Sequence, residues 1–212
     1  MQDIWEFLKL LTDPHSIIRY GGLALLLFVV FSETGLLVGF FLPGDSLIFI
    51  SGLICSSQPD LLNINIVLLI TLLCIAAILG NIVGFWFGKR VGPAIFTKDD
   101  NFIFKKRYVA ITRRFYDRYG GTTLILGRFL PIIRTFAPIL AGVIKLDFRI
   151  FMLYNIIGAV GWISSFGLLG YYLGTFTWIQ NNVGYIVIGL IVITIIPVIK
   201  TYMGYKKEVN KI

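Results

Sequence analysis

The sequence predicts an all-α polytopic integral membrane protein, with about four transmembrane helices and two opposed re-entrant helical hairpins in an inverted-repeat arrangement. Three observations carry this. Of 212 residues, 57% are hydrophobic and 14% charged, against roughly 45–50% and 25% in soluble domains. Residues 61–88 and 150–199 contain no charged side chain. Two further apolar segments of span length are interrupted near their centres by proline and charge. A soluble globular enzyme, a disordered tail and a disulfide-stapled secreted scaffold are excluded. The net charge of +8 reports membrane topology in so apolar a chain, and no nucleic-acid partner is expected.

At the N-terminus, Ile4, Phe7, Leu8 and Leu11 share one helical face among Asp3, Glu6 and Lys9. Residues 1–19 therefore read as an interfacial helix lying on the membrane, stopped near Asp13-Pro14. With no positive leader and no cleavage site, the segment is expected to be retained. His15, the single histidine, sits in a polar turn as a surface residue. A first span is expected over Ile17–Ser32.

A hydrocarbon core of about 30 Å takes roughly 20 helical residues. Ile66–Phe87 supplies one span, and 150–199 is long enough for two, 150–173 and 183–199. They are separated by the polar turn 174–182 with Trp178. Segment 34–58 carries Pro43, Gly44 and Asp45, and segment 120–144 carries Arg128, Pro131, Arg134 and Pro138. Proline removes a backbone donor and clashes with the preceding turn. Broken backbone at membrane depth survives only against protein or a water-filled cavity. Both segments therefore read as hairpins that enter and leave on one side, with breaks at Pro43, Gly44, Pro131 and Pro138.

Residues 89–118 hold nine basic side chains against Asp99, Asp100 and Asp117, and the tail holds Lys200, Lys206, Lys207 and Lys211 against Glu208. Both are expected to be cytoplasmic, the C-terminus included. The two hairpins then face each other from opposite sides. Phe41-Leu42-Pro43 followed by Ser51-Gly52-Leu53-Ile54 parallels Phe129-Leu130-Pro131 followed by Ala141-Gly142-Val143-Ile144. Interrupted segments in matching positions point to a midplane transport site.

Four ionisable residues lie in or beside the hairpins: Glu33, Asp45, Arg128 and Arg134. Unpaired at full depth, each would cost about 2.5–3.5 kcal/mol, on the order of 10–14 together. One reading has them pair to lock the hairpins. In the other, the arginines flanking Pro131 offer forked donors to a phosphate, helped by free backbone N–H groups at the break. Both hold if the pairing lasts until a phosphate arrives. The remaining features read as packing. Asn81 hydrogen-bonds across helices, Gly80-x-x-x-Gly84-x-x-x-Gly88 allows close approach, and Trp162, Tyr171, Tyr172 and Trp178 pack or anchor at the interface. Cys55 and Cys74 are small buried hydrophobes. No metal-ligand or cofactor motif is present, and with one histidine a lipid-phosphatase chemistry has no base to use. The chain is therefore not expected to be an enzyme.

Glu33-Thr34-Gly35, Phe41-Leu42-Pro43-Gly44-Asp45 and Gly127-Arg128-Phe129-Leu130-Pro131-x-x-Arg134-Thr135-x-x-Pro138-x-x-Ala141-Gly142 resemble the DedA family. This is the bacterial branch of the superfamily that includes the SNARE-associated Golgi (VTT) proteins. The resemblance spans about residues 20–175, which would form the transport domain, with 176–212 as the last transmembrane helix and basic cytoplasmic tail. It implies a protein of the bacterial cytoplasmic membrane that moves a lipid with proton coupling. Arg128 and Arg134 match the family's essential arginines, and Glu33 and Asp45 its essential acids. The expected partners are protons and a membrane lipid, undecaprenyl phosphate or a phospholipid. Alternatives are a phosphatidylethanolamine flippase, a non-selective scramblase and a small-ion or proton antiporter. An oligomer is compatible with the sequence, which does not fix its size.

Overall fold

The computed structural model describes residues 14–36, 44–58, 61–96, 131–182, 184–186 and 189. Every element among them is helical: α1 (Pro14–Gly35), α2 (Gly44–Ser57), α3 (Ile66–Phe96), α4 (Pro131–Val143), α5 (Phe148–Leu173) and α6 (Thr177–Asn181). The interfacial segment up to Asp13, Pro43, Arg128 and most of the expected span 183–199 lie outside the described residues.

Two helices are long and apolar enough to cross a membrane. Ile66–Val91 and Phe148–Leu173 are each 26 residues of apolar sequence, about 39 Å at 1.5 Å per residue, against a hydrocarbon core of about 30 Å. Both are apolar on every side. Val67, Leu68, Ile75 and Leu79 on α3, and Leu153, Ile157, Val160 and Leu169 on α5, point outward and exposed. Apolar stripes of that extent suit lipid rather than water.

The inward faces converge on one core. Leu26, Val29 and Val30 of α1 pack with Leu47 and Ile48 of α2, Leu69, Leu73 and Ala77 of α3, and Trp162 and Ile163 of α5. A second cluster joins Phe85 of α3 to Ala137 and Ala141 of α4 and Phe151 of α5. Its Phe85 and Phe151 rings are stacked with centroids 4.5 Å apart.

Glycines set how closely the helices approach. A Cβ on Gly52 would strike the carbonyl of Gly167, and one on Gly170 the carbonyl of Phe49. As the contact advances along α2 it retreats along α5, so the two run antiparallel. The α4–α3 seam repeats the pattern: a Cβ on Gly142 would strike the carbonyl of Phe85, and one on Gly88 that of Ile139. In both seams each glycine faces the carbonyl three residues before the opposing glycine. Gly52 and Gly142 are the glycines of the sequence repeat, and each short helix packs on the long helix that follows the other one. The long helices are themselves joined by a buried hydrogen bond from Asn81 Nδ2 to Asn155 Oδ1 at 2.8 Å, with Asn155 Nδ2 reaching the Ile78 carbonyl at 3.3 Å.

Four local expectations change. The first helix runs from Pro14 to Gly35 with a kink at Gly22, whose φ of 56° suits a residue without a Cβ. Pro14 is tolerated at the first helical position, where no N–H is needed. Pro138 is not a break: α4 continues through it from Pro131 to Val143. A proline within a membrane helix removes one backbone donor without ending the helix when neighbouring helices hold it, and Pro138 packs against α3 near Gly84. The polar turn 174–182 contains the short helix α6. Trp162, expected as packing or anchor, is buried and hydrogen-bonded to a carboxylate.

The connection between α4 and α5 is tight. Leu146 N–H donates to the Ala141 carbonyl and Lys145 N–H to that of Gly142, both at 3.0 Å. This is a Schellman closure with Lys145 in the left-handed position at φ 56°. Asp147 then caps α5, its side chain accepting from the backbone N–H groups of Arg149 and Ile150.

Candidate functional site

Helix ends, not helix middles, supply three of the four side chains at the candidate site. Glu33 lies in the last turn of α1, Asp45 in the first turn of α2 and Arg134 in the first turn of α4, while Trp162 comes from the middle of α5. The local sequence explains these ends. Pro131 opens α4, where its missing donor costs nothing, and this brings Arg134 in one turn later. Gly44 opens α2 and lies directly against the Glu33 carboxylate, into which any Cβ at that position would run. Gly35 and Gly80 let the end of α1 close on α3, since a Cβ on Gly35 would lie 2.5 Å from the Gly80 carbonyl.

Arg134 is the hub. Its Nη2 donates to Glu33 Oε1, and its Nη1 donates to Asp45 Oδ1 at 2.5 Å. The guanidinium carbon stands 4.2 Å from the centroid of the Trp162 ring, a cation–π contact. Trp162 Nε1–H donates to the same Asp45 Oδ1 at 2.9 Å. Thr135, next along α4, donates to the backbone carbonyl of Glu33 at 3.3 Å. The side chains of Arg134 and Glu33 are almost wholly shielded, and that of Asp45 keeps 15% of its exposure.

The electrostatics are those of an arginine held where its own helix disfavours it. A cation in the first turn of α4 faces the positive end of that helix dipole, and an ion taken this far from water costs several kcal/mol unless paired and hydrogen-bonded. Two carboxylates meet that requirement. With both ionised, the described cluster carries two negative charges against one positive. Among the described residues, Glu33 Oε2, Arg134 Nε and Ser32 Oγ are buried without a side-chain hydrogen-bond partner. The Glu33 carboxylate also lies against the backbone of Gly44, whose N–H favours its ionised form.

Of the residues the sequence singled out, the structure brings Glu33, Asp45 and Arg134 together, with Gly44 against Glu33. Arg128 and Pro43 lie outside the described residues, and Pro138 packs away from the cluster against α3. Trp162 was missed by sequence reasoning. The signal for it was chemical: an indole N–H in the middle of an apolar span needs an acceptor, and the nearest unspent acceptors were the membrane acids.

Comparison with known proteins gives a consistent result. The family described as the VTT domain matches residues 42–172, which contain Asp45, Arg134 and Trp162. The chain is 40% identical over 184 residues to the protein DedA of Escherichia coli K12, covering 87% of this chain and 83% of that one. It is 38% identical over 172 residues to an uncharacterised membrane protein of Mycobacterium tuberculosis, covering 81% and 74%. It is 32% identical over 175 residues to the E. coli inner membrane protein YghB, covering 81% and 76%. No solved structure matches.

Proposed function

Because the chain belongs to the VTT-domain (DedA) family of membrane proteins, we propose that it is a proton-motive-force-linked lipid transporter rather than an enzyme. Its cargo is an anionic lipid phosphate, undecaprenyl phosphate or a related phospholipid, returned across the bacterial cytoplasmic membrane. In this reading the starts of α2 and α4 are the inner arms of two opposed re-entrant hairpins, related as inverted repeats. The matched glycine seams support that arrangement. The basic tail is cytoplasmic.

The observation that carries the proposal is the double engagement of Arg134 by Glu33 and Asp45 inside an apolar helix bundle. A guanidinium presents a planar fork that suits a phosphate as well as it suits carboxylates. A lipid phosphate that takes the fork displaces carboxylates from the arginine. A buried carboxylate left without a partner cannot stay ionised at that depth, so substrate binding and proton occupancy are linked by charge balance. Inward movement of an anion opposes the membrane potential by about 2.3 kcal/mol per charge per 100 mV, and a co-transported proton offsets it. Arg128, from the same Arg-x-x-Pro-x-x-Arg run, would supply a second fork to the headgroup.

The test is transport of labelled undecaprenyl phosphate in proteoliposomes with an imposed pH gradient. The expected result is gradient-dependent movement that is lost in Arg134→Ala and in Arg128→Ala. Transport unchanged in both variants would overturn the assignment. Equal movement of neutral and anionic lipids without a gradient would replace it with scrambling, and proton flux without any lipid would replace it with an antiporter.

A further inference from the structure

The two carboxylates on Arg134 are not equivalent, and the difference lies in what else each touches. Asp45 Oδ1 accepts from Arg134 Nη1 and from Trp162 Nε1, so it keeps a donor when the arginine leaves. Among the described residues, the side-chain hydrogen bond that Glu33 accepts is from Arg134, through Oε1, and its other neighbour is the backbone of Gly44. Position on the helices adds to this. Both carboxylates lie near the start of α2, whose free N–H groups favour an anion. Glu33 alone also sits in the last turn of α1, where the outward-facing carbonyls disfavour one. Asp45 further retains some contact with solvent, and Glu33 almost none. The charged groups that the structure places against Glu33 are Asp45 from α2 and Arg134 from α4.

We infer that Trp162 is a positioning residue that divides the labour of the acids: it holds Asp45 in place as the ionised acid and leaves Glu33 to carry the exchangeable proton. The inference rests on the proton-coupled reading above and deepens it. Of the two acids, Glu33 gives up less on taking a proton, since its carboxylate holds one side-chain donor, Arg134, and that of Asp45 holds two, Arg134 and Trp162. The protonated carboxyl can remain against Gly44. When Arg134 is drawn to another anion, Asp45 stays anchored by the indole N–H. The indole face, 4.2 Å from the guanidinium carbon, covers the side of Arg134 that faces α5.

The experiment is infrared spectroscopy of the full-length protein in lipid at neutral pH, reading the C=O stretch of a protonated carboxyl group. The protein is made by cell-free synthesis with carboxyl-13C glutamate in one sample and carboxyl-13C aspartate in another. The expected band shifts with labelled glutamate, does not shift with labelled aspartate, and is lost in Glu33→Gln. In Trp162→Phe, part of the band should shift with labelled aspartate, because the proton is then shared. A band that follows aspartate in the unaltered protein, no band at all, or a Trp162→Phe spectrum identical to the unaltered one would overturn the inference. The band reports a proton in the resting protein and not a lipid moved, so failure of the transport reading alone would leave it in place. Glu33→Gln is close in shape to the protonated acid, which keeps the assignment testable even if Trp162→Phe folds poorly.

Discussion

Replacing Trp162 by phenylalanine separates the two contacts that the indole makes. The N–H to Asp45 Oδ1, 2.9 Å long, disappears, while an aromatic face remains under Arg134. A hydrogen bond to a charged group contributes about 1.5–3 kcal/mol, and a desolvated cation–π contact about 2 kcal/mol. Trp162→Phe should therefore destabilise the protein by about 2 kcal/mol, and Trp162→Leu, which removes both contacts, by about 4 kcal/mol. For a chain of this size each kcal/mol moves Tm by roughly 2–4 °C, so the phenylalanine variant should melt about 4–8 °C lower. The assay is thermal unfolding in a mild detergent, followed by a double-mutant cycle with Asp45→Ala. If the indole N–H acts on Asp45, the Trp162→Phe penalty should shrink by at least about 1 kcal/mol when Asp45 is already gone. Additivity within about 0.5 kcal/mol would refute the reasoning, because it would mean that the indole stabilises by bulk alone.

Further outcomes follow from single positions. Gly44→Ala should disrupt the cluster, since its Cβ would run into the Glu33 carboxylate; reduced Tm together with lost transport would show it, and unaltered behaviour in both would count against the packing described. Lys145→Gly should stabilise by about 1 kcal/mol, because a left-handed residue with a Cβ is strained by roughly 1–2 kcal/mol, whereas Asp147→Ala should cost about 1 kcal/mol by uncapping α5; both are read from unfolding midpoints. Asn81→Ala should cost about 0.6 kcal/mol and no more than about 1.7, the range for hydrogen bonds between membrane helices, with no effect on the pH dependence of transport.

The spans at Ile66 and Phe148 were legible because a charge-free run of that length has no soluble explanation. Glu33, Asp45 and Arg134 were legible for the converse reason: charge in an apolar segment needs a partner, and there were few to choose from. Trp162 was not, because an aromatic residue in an apolar run satisfies the hydrophobic pattern whether or not its N–H is used. Pro138 misled because a proline takes away one helical hydrogen bond and can either end a helix or be carried within it, and the neighbouring helices that decide between the two are not visible to local reasoning. The glycine seams lay between these cases. Gly52 and Gly142 stood out in the repeat, but only the structure shows that each meets the long helix belonging to the other copy.

That exchange of partners bears on how the protein is made. Gly52 is synthesised with its seam unfilled, and Gly170 follows 118 residues later (170 minus 52). At about 5–20 residues per second of synthesis, α2 waits roughly 6–24 s for the helix it packs against. During that interval the α2 backbone face is open within the membrane, and Asp45 waits in turn for its arginine and then its indole, 89 and 117 residues after it (134 minus 45 and 162 minus 45). An insertion factor that shelters a polar half-helix for seconds would be matched to this need. A chain interrupted between α3 and α4 should yield two fragments that neither persist separately nor assemble unless produced together.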